Sequence, residues 1–173
     1  MTSWSLALAE PDDAEALAAL INRAYRGETS RLGWTTEADL LAGKRADAAM
    51  LRDLMASCDN AVWLARAAGE IRGTISLLYH DVTVEFSLFA VEPNAQAQGI
   101  GKRLLQQAED YARQRWQAQR ATLSVIACRH ELIAYYQRRG YRLTGKYQAF
   151  PVDSNLWTPR VAGLQLAILE KDL

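Results

Sequence analysis

A chain of 173 residues that is half hydrophobic and 23% charged has enough apolar side chains for a core and lies outside the composition of disordered chains. Its 20 basic side chains balance 20 acidic ones, so no net field recruits nucleic acid or an anionic membrane surface. Cys58 and Cys128 stand far apart without partners at metal-ligand spacing; neither a disulfide framework nor a metal site is expected, and both thiols should be reduced. No stretch reaches the roughly 18 apolar residues that span a bilayer, and Met1 to Ala9 lacks a basic run followed by an apolar one. A single domain in the cytoplasm, monomeric or homodimeric, is the expectation.

In chain order, Trp4 to Leu8 alternates as a strand, and Glu10, Pro11, Asp12 and Asp13 supply an acidic helix start. Leu17, Leu20, Ile21 and Ala24 then repeat at helical spacing up to Tyr25–Gly27. The stretch from Glu28 to Cys58 is irregular, with a short helix predicted at Glu37 to Leu41. Ala61 to Ala67, Ile71 to Tyr79 and Thr83 to Val91 read as an antiparallel meander. Gly99 and Gly101 open a long amphipathic helix that ends before Ala121. A strand at Ala121 to Ala127, a helix at Leu132 to Arg139 stopped by Gly140, a strand at Tyr141 to Tyr147 and a closing strand segment at Val161 to Glu170 follow. This order predicts an α/β protein with helices on both faces of a mixed sheet.

The chemistry concentrates in Phe89-Ala90-Val91-Glu92-Pro93-Asn94-Ala95-Gln96-Ala97-Gln98-Gly99-Ile100-Gly101-Lys102. Two glycines between a strand and a helix permit a tight turn whose N–H groups approach an anion at the positive end of the helix dipole. A nucleotide P-loop would need glycine where Gln96 stands and Ser or Thr where Arg103 stands; the dinucleotide fingerprint would need glycine at Leu104. Gln-x-x-Gly-x-Gly does match, and here the chain resembles the GCN5-related N-acetyltransferase (GNAT) family. The resemblance extends to Glu85–Pro93, similar to that family's central strand, and to Ala134-Tyr135-Tyr136-Gln137-Arg138-Arg139-Gly140-Tyr141, similar to its second coenzyme A segment.

The resemblance implies a GNAT fold: a largely antiparallel meander, a splayed parallel pair at the centre, and acetyl-CoA as donor to a primary amine of a small molecule or peptide. A noncatalytic acyl-CoA-binding domain is the alternative. Gln96, Ala97, Gln98, Gly99, Ile100, Gly101 and Lys102 would surround the pyrophosphate, with Tyr135 and Arg139 nearby. Free backbone groups of Phe89 and Val91 would meet the pantetheine arm like an added strand, with Ala90 between them at the cofactor. Tyr136 would protonate the departing thiolate, Tyr135 being the competitor, because neighbouring helix residues point about 100° apart.

A neutral amine is needed for attack, and Glu85 is the candidate base, with His80 or Asp81 as substitutes. Strand alternation would set Glu85, Ser87, Phe89 and Val91 on one face. Cys128 reads as a small buried residue. Relatives have an asparagine where Arg129-His130-Glu131 stands here, and Arg129 reads as a solvated loop residue. The acceptor pocket is expected from Asn22, Tyr25, Arg26, Arg31, Trp34, Thr35, Glu37, Tyr147, Phe150 and Trp157. Within it Arg26 and Arg31 would hold a carboxylate and Glu37 would steer an amine.

Overall fold

The computed structural model describes residues 4–152 and 155–173; the first three positions of the Met1–Ala9 segment and residues 153–154 of the loop between Pro151 and Pro159 lie outside them. Strand β1 (Trp4–Leu8) leads through a turn of 3-10 helix to α1 (Ala14–Tyr25) and the single turn α2 (Gly27–Ser30). After β2 (Leu41–Gly43) and α3 (Ala48–Ala56) come the meander strands β3 (Asn60–Ala67), β4 (Glu70–His80) and β5 (Thr83–Val91). The chain continues through α4 (Ile100–Trp116), β6 (Arg120–Ile126), α5 (His130–Gln137), β7 (Arg142–Ala149), β8 (Trp157–Pro159) and β9 (Gln165–Asp172). Seven strands form one sheet in the order β1-β3-β4-β5-β6-β9-β7. Its pairs are antiparallel except β5 with β6.

Both faces of the sheet are covered, because the meander strands carry apolar side chains on both sides. Leu104, Leu105, Ala108 and Ala112 of α4, with Ile133 and Tyr136 of α5, close one face over Ile75, Leu77, Val84 and Phe86. On the other face, Leu17, Leu20, Ile21 and Ala24 of α1 and Leu51 of α3 pack on Val62, Leu64, Leu88 and Ala90. The predicted strands and long helices are present within a few residues of their expected ends.

Three local expectations are corrected. Residues 38–40 form a turn and Leu41–Gly43 a strand in place of the short helix, since β2 pairs with β8 across a gap that only glycine fits. A Cβ at Gly43, whose φ is +89°, would lie 2.2 Å from the Leu156 carbonyl oxygen. Helix α3 was not anticipated, although its signal is legible: Asp47 Oδ1 accepts from the Met50 N–H at 2.8 Å ahead of a run of good helix formers. Cys128 is exposed instead of buried, as is Cys58.

The late strands are tied to α4 by one buried polar cluster. Tyr141 donates to Glu109 Oε1 at 2.8 Å, and Lys171 Nζ donates to Glu109 Oε2 at 2.7 Å. Burial, and the Glu109 carboxylate beside it, push the Tyr141 phenol far up. Removing one member strands its partners in a low-dielectric site. Glu109→Ala should therefore lower the free energy of unfolding in urea by about 3 kcal/mol. Lys171→Met, which leaves Glu109 its Tyr141 hydrogen bond and an ion pair with Arg113 at 3.7 Å, should cost less in the same titration.

Candidate active site

The central strand is interrupted where the site begins. Between the pairs Ser76–Ser87 and Thr74–Ala90, Ile75 of β4 faces two residues of β5, Leu88 and Phe89. Leu88 takes a φ of +47°, a conformation that an L residue adopts only when its surroundings impose it. This bulge inverts the side-chain alternation. Val84, Phe86, Phe89 and Val91 pack toward α4, whereas Leu88 and Ala90 enter the core under α1. Glu85 therefore does not share a face with Phe89 and Val91, and the Ala90 side chain is core.

Beyond the bulge the strands part. β5 pairs with β6 from Thr83–Arg120 to Phe86–Leu123, while β6 continues against β9 to Ile126–Leu166. The backbone left without a strand partner is partly satisfied by side chains: the Tyr25 hydroxyl donates to the Phe89 carbonyl, and Gln96 Nε2 donates to that of Val91 at 3.2 Å. Those two carbonyls, expected to be free, are engaged.

At the end of β5 the chain bends with positive φ at Ala97 (+64°) and Gly99 (+83°) before entering α4. The first intrahelical bond there runs from the Arg103 N–H to the Gly99 carbonyl, leaving the amides of Ile100, Gly101 and Lys102 as first-turn donors without an intrahelical acceptor. A Cβ on Gly101 would meet the Tyr135 hydroxyl at 3.2 Å and Phe89 at 3.4 Å, so even a methyl group there presses on both rings and a larger side chain would fill the cradle. Residues Gln96, Ala97, Gly99, Ile100, Gly101 and Lys102 line a cavity of about 410 Å³ with Phe89, Val91, Tyr135, Tyr136 and Arg139; Gln98 is exposed outside it. The cradle's shape and its donors fit a diphosphate.

Gln96 also fastens the neighbouring loop. Its Oε1 accepts from the Trp34 N–H at 3.0 Å and its Nε2 donates to Thr35 Oγ1 at 2.9 Å. Trp34 consequently rests on Tyr135, ring centroids 5.4 Å apart, and lines this first cavity instead of the acceptor pocket expected for it. Arg139 lies over the Tyr135 ring, its guanidinium carbon 3.4 Å from the centroid, and donates to the Tyr135 carbonyl at 2.7 Å. Both tyrosines of α5 thus border the first cavity, edge to face.

A second cavity of about 360 Å³ lies against the parting stretches of β5 and β6, and Tyr25, Phe89, Leu132 and Tyr136 belong to both. Of the α5 pair, only Tyr136 reaches it. Burial, with Tyr25 and Tyr135 adding, pushes the Tyr136 phenol well above its ordinary value; burial, with Glu37 adding, pushes Tyr25 up to about 12. Glu85 lies on the rim, exposed, while His80 and Asp81 are exposed, 3.1 Å apart at Nδ1 and Oδ2, and outside both cavities.

The second cavity's charged wall differs from expectation. Glu37 is buried and accepts from Arg26 Nη1 and, at 3.2 Å, from Arg129 Nη1. Its charge is spent on two guanidinium groups, so it is not free to steer an amine. Arg129 is a cavity residue and not a solvated one, its side chain only 10% exposed. Arg31 is exposed and paired with Glu28 and Asp39 away from the site. Asn22 holds the backbone at Arg45 and Ala46, Phe150 and Trp157 line the pocket, and Tyr147 is exposed outside it. Arg45, which lines the cavity, was missed because it stands in an aperiodic stretch.

The site thus joins a parted parallel strand pair, a helix-start cradle and two cavities that meet at a buried tyrosine. A profile of the Acetyltransferase (GNAT) family matches residues 15–141, well over half the chain, and the protein belongs to that family. Among solved structures it is similar to the ribosomal-protein-S18-alanine N-acetyltransferase of Escherichia coli (TM-score 0.73, 15% identity, 98% of this chain and 94% of that one covered). It is also similar to an N-acetyltransferase of Staphylococcus aureus Mu50 (0.72, 17%, 99% and 99%) and to the PaiA N-acetyltransferase of Thermoplasma acidophilum in complex with coenzyme A (0.70, 17%, 99% and 99%). At such identities the likeness is one of fold. No curated protein sequence matches the chain.

If Gln96 is the clasp of the Trp34 loop, Gln96→Ala should speed hydrogen exchange of the Trp34 amide by about tenfold, the equivalent of one hydrogen bond of roughly 1.4 kcal/mol. Amides in the middle of α4 should keep their protection.

Proposed function

We propose that the protein transfers an acetyl group from acetyl-CoA to a primary amine by direct attack, both substrates being bound together. The observation that supports this most directly is the meeting of the two cavities at Tyr136, one leading to the glycine cradle and the other to a separate polar pocket. The coenzyme A complex of the Thermoplasma neighbour is consistent with a coenzyme A site in the first cavity.

Acetyl-CoA supplies a thioester whose carbonyl carbon is open to a nucleophile. The amides of Ile100, Gly101 and Lys102 hold the diphosphate, Lys102 and Arg139 add positive charge, and Phe89 and Val91 give the pantetheine arm an apolar wall. The amine enters from the second cavity and must be neutral to attack. Glu85 takes its proton, directly or through water. A carbon–nitrogen bond forms, the carbon–sulfur bond breaks, Tyr136 gives its proton to the departing sulfur, and the proton the amide nitrogen then sheds restores the phenol.

Because burial holds the Tyr136 phenol protonated well past pH 10, this acid is in its working form throughout the neutral and alkaline range. The rate should rise with pH as the amine deprotonates and then level off, with no falling limb below about pH 10. Tyr136→Phe should lower kcat by roughly 10²-fold while coenzyme A affinity, read by calorimetry, stays within about threefold. Gly101→Val should do the reverse, weakening coenzyme A binding by at least about tenfold by filling the cradle. Unchanged turnover in Tyr136→Phe, or full affinity in Gly101→Val, would contradict these assignments.

A further inference from the structure

The second cavity carries more positive charge than its own carboxylates can use. Arg26, Arg45 and Arg129 face it together with Glu37 and Glu85. Glu37 lies between Arg26 and Arg129, one oxygen to each. Arg45 makes no ion pair among the described residues, and Glu85 stands exposed at the rim without one. Arg26 is 6% exposed, yet its Nε and Nη2 have no hydrogen-bond partner. Burial pulls its pKa down and Glu37 offsets only part of that.

Two of the three guanidinium groups share one carboxylate and the third has none, and a guanidinium cluster with uncompensated charge is a receptor for a planar carboxylate. We infer that the amine acceptor also carries a carboxylate, held by Arg45 and Arg129 against the Arg26–Glu37 pair, with its amine directed toward Tyr136. This deepens the acetyl-transfer reading and rests on it for the amine, but the anion site stands on the cavity alone. The opposite charge preference follows for competitors: a polycationic amine would bring like charge against three arginines, which disfavours it. A volume of about 360 Å³ suits a small amino acid, or the carboxylate end of a short peptide.

The test pairs acids with their neutral amides. Amino acids with α- and ω-amines, their amides, and tripeptides with free or amidated C-termini are assayed for thiol release from acetyl-CoA. In parallel, N-acetylated amino acids and their amides are titrated calorimetrically into the protein saturated with coenzyme A. Acids should exceed matched amides by at least about tenfold in kcat/KM and in affinity, a difference of about 1.4 kcal/mol. A preference seen only among free amino acids identifies a small-molecule acceptor; one seen equally in tripeptides identifies a chain end.

Arg45→Gln should erase the preference by raising KM for acids at least about tenfold, so that the ratio of kcat/KM between each acid and its matched amide falls to near one. Arg129→Gln removes a partner of Glu37 and endangers the fold, so Arg45→Gln, which breaks no ion pair, is the deciding variant. Acid binding without transfer to any amine would keep the anion site and sink the transfer reading. Transfer to amides or polyamines as efficient as to acids, or no affinity for any acid, would overturn the inference.

Discussion

Between Phe86 and Val91 the central strand leaves its parallel neighbour, and backbone groups that leave a sheet must find partners elsewhere or remain a standing cost. The bulge at Leu88 makes the departure possible by adding a residue opposite Ile75. Tyr25 and Gln96 make it tolerable by taking the carbonyls of Phe89 and Val91. Both side chains therefore serve the opening first and its occupants second. Gln96 shows this best, since the same amide that caps the strand also fixes Trp34 and Thr35 at the mouth of the first cavity.

The two cavities at the opening handle charge differently. In the first, the donors are main-chain amides at the start of α4, which stay neutral and need no countercharge when the site is open. In the second, they are guanidinium groups around a single buried carboxylate. The contrast with the Glu109 cluster is instructive: there every oxygen has a donor and the arrangement only holds secondary structure together, whereas Arg26 is left with two nitrogens unmatched. Fully matched buried charge reads as structure. Incompletely matched charge beside a cavity reads as a place for another charge.

Much of this was legible in the chain itself. The apolar periodicities give the order of the elements, with β1 and β5 found at their full spans and the other predicted strands shifted by a few residues, because those patterns are local and their period is set by backbone geometry. Gln-x-x-Gly-x-Gly located the cradle for the same reason: a helix start that receives an anion needs glycine within a few residues of the bend. The short β2–β8 pair was not legible, since its two halves lie more than a hundred positions apart and neither has a pattern of its own.

What the sequence determined, then, was the set of elements, the glycine bend and the α5 segment carrying Tyr135 and Tyr136, all specified by neighbours in the chain. Only the tertiary structure decided which way Glu85 and Phe89 face, because one bulge against Ile75 reverses an alternation that looks continuous in one dimension. It alone also decided that Arg129 belongs to the second cavity and Trp34 to the first. Arg129 and Glu37 are 92 residues apart, and only folding makes one the other's partner, so their charges have meaning solely in three dimensions.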